Sequence, residues 1–232
     1  MDKVETVKRY AFFLAGLFVN SLGVAFITKA DLGTSPISSV PYVLSLGFPF
    51  TLGQFTVAFN LLTIALQVLI LRKEFQLFQL MQLPVIFLFG YFIDFSMDHI
   101  LFWMHPEVYF LKVVFLLAGC AILGFGVFME VAANVLMLPG EALTNAIHLK
   151  SGKEFGLIKI CVDSSMAGSA IIISLAIFGS IAGIREGTAV AAFLVGYLSR
   201  FFCRVMHPYT RTLFARREVV RRAAAIFDSH AA

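Results

Sequence analysis

Apolar runs of membrane-crossing length recur along the chain, and short polar intervals separate them. Six such runs lie near 10–29, 55–72, 77–97, 112–133, 157–180 and 187–204. About 20 mostly apolar residues in a helix cross roughly 30 Å of hydrocarbon. Lipid offers no partner to an unpaired backbone amide, so each run is expected to be a helix. Two stretches break the pattern in the same way, "TSPISSVPYVLS" at 34–45 and "MLPGEALTNAIH" at 137–148. Each leads with a proline, a residue suited to the first helical position, and Ser35 stands where an N-cap belongs. About ten residues follow each proline before the next span, enough for half a crossing. The pattern therefore predicts short helices over 36–47 and 139–149, lying on the surface or re-entering the membrane.

The two interruptions read as one element written twice. Setting Pro36 on Pro139, an offset of 103 (139 − 36), also places Gly23-Val24 on Gly126-Val127, Ala30 on Ala133, and Gly53 on Gly156. In the same register Asn60 falls on Asp163, two polar residues inside apolar runs, while Ile27 and Asp31 answer to Glu130 and Asn134. "FLFGY" at 87–91 matches "FLVGY" at 193–197, pairing Gly90 with Gly196 and predicting one helix crossing per half. Each half then reads span, short helix, span, span. Three spans is an odd number, so the second half is expected to enter the membrane the other way up. The expected fold is all-α, with six transmembrane helices in two inverted three-helix repeats. A 1–9 cytoplasmic segment precedes repeat 1 (10–97), an external loop (98–111) follows it, and repeat 2 (112–204) leads to a basic tail (205–232).

Composition agrees with a lipid-solvated chain: of 232 residues 59% are hydrophobic and 14% charged, with mean hydropathy +0.89. A soluble domain of this size needs far more charge on its surface. The net charge of +4 follows from where the cations lie and calls for no nucleic acid. Lys3, Lys8, Arg9, Arg72, Lys73, Lys150, Lys153 and the tail arginines fall on alternate connections, which puts both termini in the cytoplasm. The tail "HPYTRTLFARREVVRRAAAIF" has the apolar residues Leu213, Phe214, Val219, Val220 and Phe227 among its arginines, as in a helix lying on anionic headgroups; a plain solvated tail fits equally. Cys120, Cys161 and Cys203 lack metal-like spacing and read as packing residues.

Polar residues inside spans are costly and are the first candidates for function. Ser35, Pro36 and Ser38 open one short helix; Pro139, Glu141 and, one turn later, Asn145 open the other. Re-entrant helices would aim their positive N-terminal ends at a shared cavity. Glu141 offsets that field, favouring an amine, a cation or a proton, although an acidic first-turn residue also simply complements a helix dipole. Glu130 is placed four residues before Asn134, on one helix face. Asp163 stands four residues after Lys159, the spacing of an ion pair, and Asn60 suits an interhelical hydrogen bond. Asp94 reads as a water-accessible loop edge. Gly16, Gly119, Gly124, Gly126, Gly168, Gly179 and Gly183 read as packing glycines, and Gly53 and Gly156 as a turn or hinge.

"GVAFITKADLGTSPISSVPYVLS", "VFMEVAANVLMLPGEAL" and "REGTAVAAFLVGYL" resemble the YczE/YitT-like bacterial membrane proteins over most of 10–205. The resemblance implies that fold and a bacterial inner-membrane location. The chain departs from the Pro-Arg-Asp run of other members, carrying Pro139-Gly140-Glu141 instead.

Function is expected to be secondary transport or export of a small polar solute by alternating access between the repeats. A channel, or an integral-membrane subunit of a larger complex, is the alternative. Scattered histidines with no His-x-x-x-His or Ser–His–Asp arrangement argue against an enzyme, and no Walker lysine motif or other cofactor signature is present. The expected partners are the lipid bilayer and the solute, and six spans are compatible with a homodimer.

Overall fold

The computed structural model describes residues 3–213. Of the expected tail (205–232), residues 205–213 continue the last helix, and the remainder, from Phe214 onward, lies outside the described residues. Eight α-helices follow in order: α1 (Lys3–Lys29), α2 (Pro36–Gly47), α3 (Leu52–Leu71), α4 (Gln82–Phe95), α5 (Tyr109–Ala133), α6 (Pro139–Ser151), α7 (Phe155–Phe178) and α8 (Glu186–Leu213). With short 3₁₀ and π turns flanking α4, six segments are long and apolar enough to cross a membrane: Glu5–Lys29, Leu52–Glu74, Leu77–Ile100, Tyr109–Ala133, Phe155–Phe178 and Glu186–Met206. The helices α2 and α6 are the two short Pro-led helices, within two residues of their predicted ends.

Local chemistry sets the boundaries. Thr51 and Gln54 form a capping box at the start of α3, each side chain accepting from the other's backbone N–H at 3.1 Å. The carboxylate of Asp94, on α4, strengthens that start, accepting from Thr51 Oγ1 at 2.6 Å and from the Gly53 N–H at 2.8 Å. Asp94 is thus a second cap for α3 rather than a loop-edge acid. α1 and α5 both terminate through a non-glycine residue in the left-handed region, Asp31 (φ 57°) and Asn134 (φ 48°). These two positions are 103 apart, so the halves share a stop signal of a kind Asn and Asp tolerate best. Asn134 consequently leaves the helix and is exposed, and does not share a face with Glu130 as its spacing predicted.

The core is the crossing of α1 and α5, made close by glycine on both sides. A Cβ on Gly23 would lie 2.5 Å from the backbone N of Leu123, and one on Gly126 would lie 2.5 Å from the backbone N of Asn20. One on Gly16 would meet Met129 Cβ at 2.8 Å, and one on Gly119 would meet Ile27 Cγ1 at 2.8 Å. Contacts climb α1 from 16 to 27 as they descend α5 from 130 to 119, so the helices are antiparallel. Adding 103 to the α1 member of each pair names the other pair: Gly23 on Leu123 becomes Gly126 on Asn20, and Gly16 on Met129 becomes Gly119 on Phe26. Small residues letting backbones approach are the usual basis of membrane helix packing.

The short helices fill the sides of this core, each packed on both α3 and α7. α4 lies against α1 and α3, and α8 against α5. The α3–α4 contact is another glycine crossing, where a Cβ on Gly53 would sit 2.1 Å from the Gly90 carbonyl oxygen. Gly53 is helical and marks a close approach, not a hinge. The matching crossing expected at Gly196 is not made: a Cβ there would have nothing within 4 Å. Gly168 is equally open, and Gly179 (φ 68°) serves as the stop of α7 rather than as a packing surface. Gly183 also has a positive φ (77°).

Candidate functional site

The first turns of the two short helices meet. A Cβ on Gly140 would lie 3.2 Å from Ile37 Cγ2, and these two residues are each other's mates at the offset of 103. Pro36, Ser38 and Ser39 of α2, and Pro139 and Gly140 of α6, are all buried. Ile37 also packs on an apolar cluster of Leu143, Ile158, Val162 and Met166, from α6 and α7. Helix starts brought together inside a protein leave their first N–H groups without intrahelical partners. At Ser35 the expected cap is absent, because its hydroxyl turns to Ser38 Oγ at 3.0 Å.

Polar groups surround the meeting point unevenly. On the α6 side, Glu141 in the first turn is half-buried. It lies within electrostatic reach of Glu130 on α5 and of Lys159 and Asp163 on α7. Lys159 and Asp163 form the expected pair at 2.8 Å. Glu130 is 4% exposed and accepts a hydrogen bond from Asn20 Nδ2 at 2.9 Å. Asn145, one turn beyond Glu141, is half-buried. Glu141, two residues after Pro139, thus links Glu130 on one side with Asp163 on the other. Ser35 and Ser38 form a separate polar pair at the start of α2, with no carboxylate among their hydrogen-bond partners.

Asn60 belongs to a stripe that sequence reading saw only in part. Thr56, Asn60, Thr63 and Gln67 recur at i, i+4, i+7 and i+11 along α3, and all are buried. Polar residues at helical spacing inside an apolar run were the available signal. Gln67, fully buried, donates from Nε2 to the Pro139 carbonyl at 3.0 Å, tying α3 to the first turn of α6. At the offset of 103 this stripe corresponds to Lys159, Asp163, Met166 and Ala170 on α7, two charged residues and two apolar ones, so the halves differ here.

A cavity of about 550 Å³ opens at the end of the bundle where α1 stops and α3 begins. Asp31, Asp94, Asp98, Glu107 and Tyr42 are among its lining residues, and none of the predicted site residues reaches it. Asp31 forms an ion pair with Lys112 there, and Asp94 is engaged in capping α3. Among the described residues no group of three His, Cys, Asp or Glu is arranged to hold a metal ion.

These features define a polytopic α-helical integral membrane protein with two short helices enclosed among its spans. The chain belongs to the family described as a family of unknown function (DUF6198), whose model matches residues 7–204. It is similar to the uncharacterized membrane protein YczE of Bacillus subtilis (strain 168), with 26% identity over 200 residues, covering 86% of this chain and 87% of that protein. The resemblance to YczE read from the Pro-led motifs is therefore borne out. No solved structure matches the chain.

Proposed function

We propose that this protein is a secondary transporter of a small polar solute, working by alternating access between two inverted three-helix units in a bacterial inner membrane. The observation that carries this reading is the contact of Ile37 with Gly140, which joins the starts of two half-helices inside the bundle. Paired half-helices whose N-termini face a central site are a recurring transporter device. The self-mapping, antiparallel α1–α5 crossing supports a pseudo-twofold axis in the membrane plane. The distribution of Lys and Arg supports cytoplasmic termini, so the 550 Å³ cavity opens to the outside. Its carboxylates concentrate cations at the mouth, and Glu141 offsets the positive end of α6. Both favour a cationic or amine solute over an anion.

The test is flux in proteoliposomes loaded with a panel of radiolabelled small amines, inorganic cations and organic anions. At least one cation or amine is expected to move, with Glu141→Gln slowing it by roughly tenfold or more, about 1.4 kcal/mol of barrier. Transport of anions alone, or of nothing in the panel, contradicts the proposal.

A further inference from the structure

Glu130 stands on α5, outside the two half-helices, and its surroundings are uncommon for a carboxyl in a membrane span. It lies in the last turn of α5 and is 4% exposed. Gly16 on α1 makes room for it, since a Cβ there would lie 3.3 Å from Glu130 Cγ. Its Oε1 accepts from the Asn20 amide at 2.9 Å, and no ion pair reaches it among the described residues. An isolated carboxylate in an apolar interior is costly unless a cation or a proton accompanies it.

The charged groups on the neighbouring elements are otherwise engaged or turned away. On α1, Arg9 holds Glu5 at 2.8 Å and the Ala133 carbonyl at 3.1 Å. On α8, Arg200 and Arg204 are exposed. On α7, Lys159 is bound to Asp163. On α6, the group within electrostatic reach is another acid, Glu141, while His148 and Lys150 lie two or more turns further along. Asn20 can hold either protonation state, because an amide N–H donates to a carboxylate oxygen and, less strongly, to the carbonyl oxygen of a carboxylic acid. Oε2 is left as the atom that changes.

We propose that Glu130 is a proton-binding site, forming and breaking one O–H bond at Oε2 while Asn20 holds Oε1. This rests on the transport reading for its purpose: the proton exchanges against the cation held beside Glu141. A cation arriving at Glu141 favours release of the proton from its neighbour, and the proton's return favours release of the cation. The device occurs once per chain, since the mates of Glu130 and Asn20 in the other half are the apolar Ile27 and Leu123.

Infrared difference spectroscopy of the purified protein in lipid nanodiscs, titrated with acid and base, tests this without any solute. The parent is expected to show the C=O stretch of a buried carboxylic acid that comes and goes with pH. Glu130→Gln loses that band at unchanged helicity by circular dichroism, Glu130→Asp restores it, and Asn20→Leu moves both its frequency and its midpoint. A Glu130→Gln titration that superimposes on the parent overturns the proton site. A parent with the band and no flux across liposomes overturns the transport reading alone. Flux with one and the same pH profile in parent and Glu130→Gln overturns the coupling.

Discussion

Valine at Gly23 and valine at Gly126 are expected to destabilise the protein severely and by similar amounts. In each case even the first added carbon lands 2.5 Å from the backbone of the opposing helix, where no side chain can rotate away. Relief requires α1 and α5 to separate, which strips contacts along their whole length. The cost is expected at the upper end of overpacking, about 3 kcal/mol, visible as a lowered Tm in detergent. The similarity of the two effects follows from the exchange of the pairs 23–123 and 126–20 at one offset. Gly168→Ala is the control: a Cβ there meets nothing within 4 Å, so Tm is expected to hold or rise slightly, as alanine favours helix. A large difference between Gly23→Val and Gly126→Val would show that the crossing is not shared equally by the two halves.

Gly53→Ala is expected to cost nearly as much, through a different mechanism. Its new Cβ would fall 2.1 Å from the Gly90 oxygen and 2.5 Å from Asp94 Oδ2. Moving α4 to admit it withdraws Asp94 from both Thr51 and the Gly53 N–H. Overpacking is therefore joined by loss of a charged cap at the start of α3, about 1 kcal/mol by itself. Gly196→Ala, at the position that aligns with Gly90, is expected to leave Tm unchanged because its surroundings are open. Thermal melts of the two alanine variants separate the prediction from its opposite, in which both glycines matter alike.

Much of this architecture could be read before any coordinates. Span length and apolar content are imposed by the bilayer itself, so the six helices stood out. Proline at a first helical turn marked α2 and α6, since its fixed φ and missing N–H suit that position. The offset of 103 was legible at Pro36 and Pro139, yet Gly16 and Gly119 went unpaired, because glycine is common in apolar helices and only a contact shows which ones face a partner. Asn20 escaped notice for a related reason. Within "LFVNSLGVAF" it is one polar residue among many neighbours, and its acceptor Glu130 lies 110 residues away in the chain. Gln67 acts on the Pro139 carbonyl, a backbone group that no side-chain pattern advertises. Where the simple reading failed, the cause was a competing local bond at Ser35, which turns to Ser38, and a left-handed helix stop at Asn134. Only at Gly196 did longer-range packing decide, the two halves being packed differently around α4 and α8.

The central claim is that the two half-helices meet start to start within the membrane, and paired cysteines test it most directly. Ile37→Cys and Gly140→Cys would be combined in a chain whose Cys120, Cys161 and Cys203 are serine, with a protease site placed in the 98–111 loop. Disulfides form readily when Cα atoms approach to about 4.4–6.8 Å. The account predicts that mild oxidation in native membranes keeps the two halves joined after cleavage, and that reductant parts them. Halves that separate regardless of oxidation, with each thiol open to a membrane-impermeant label from opposite faces, would contradict it.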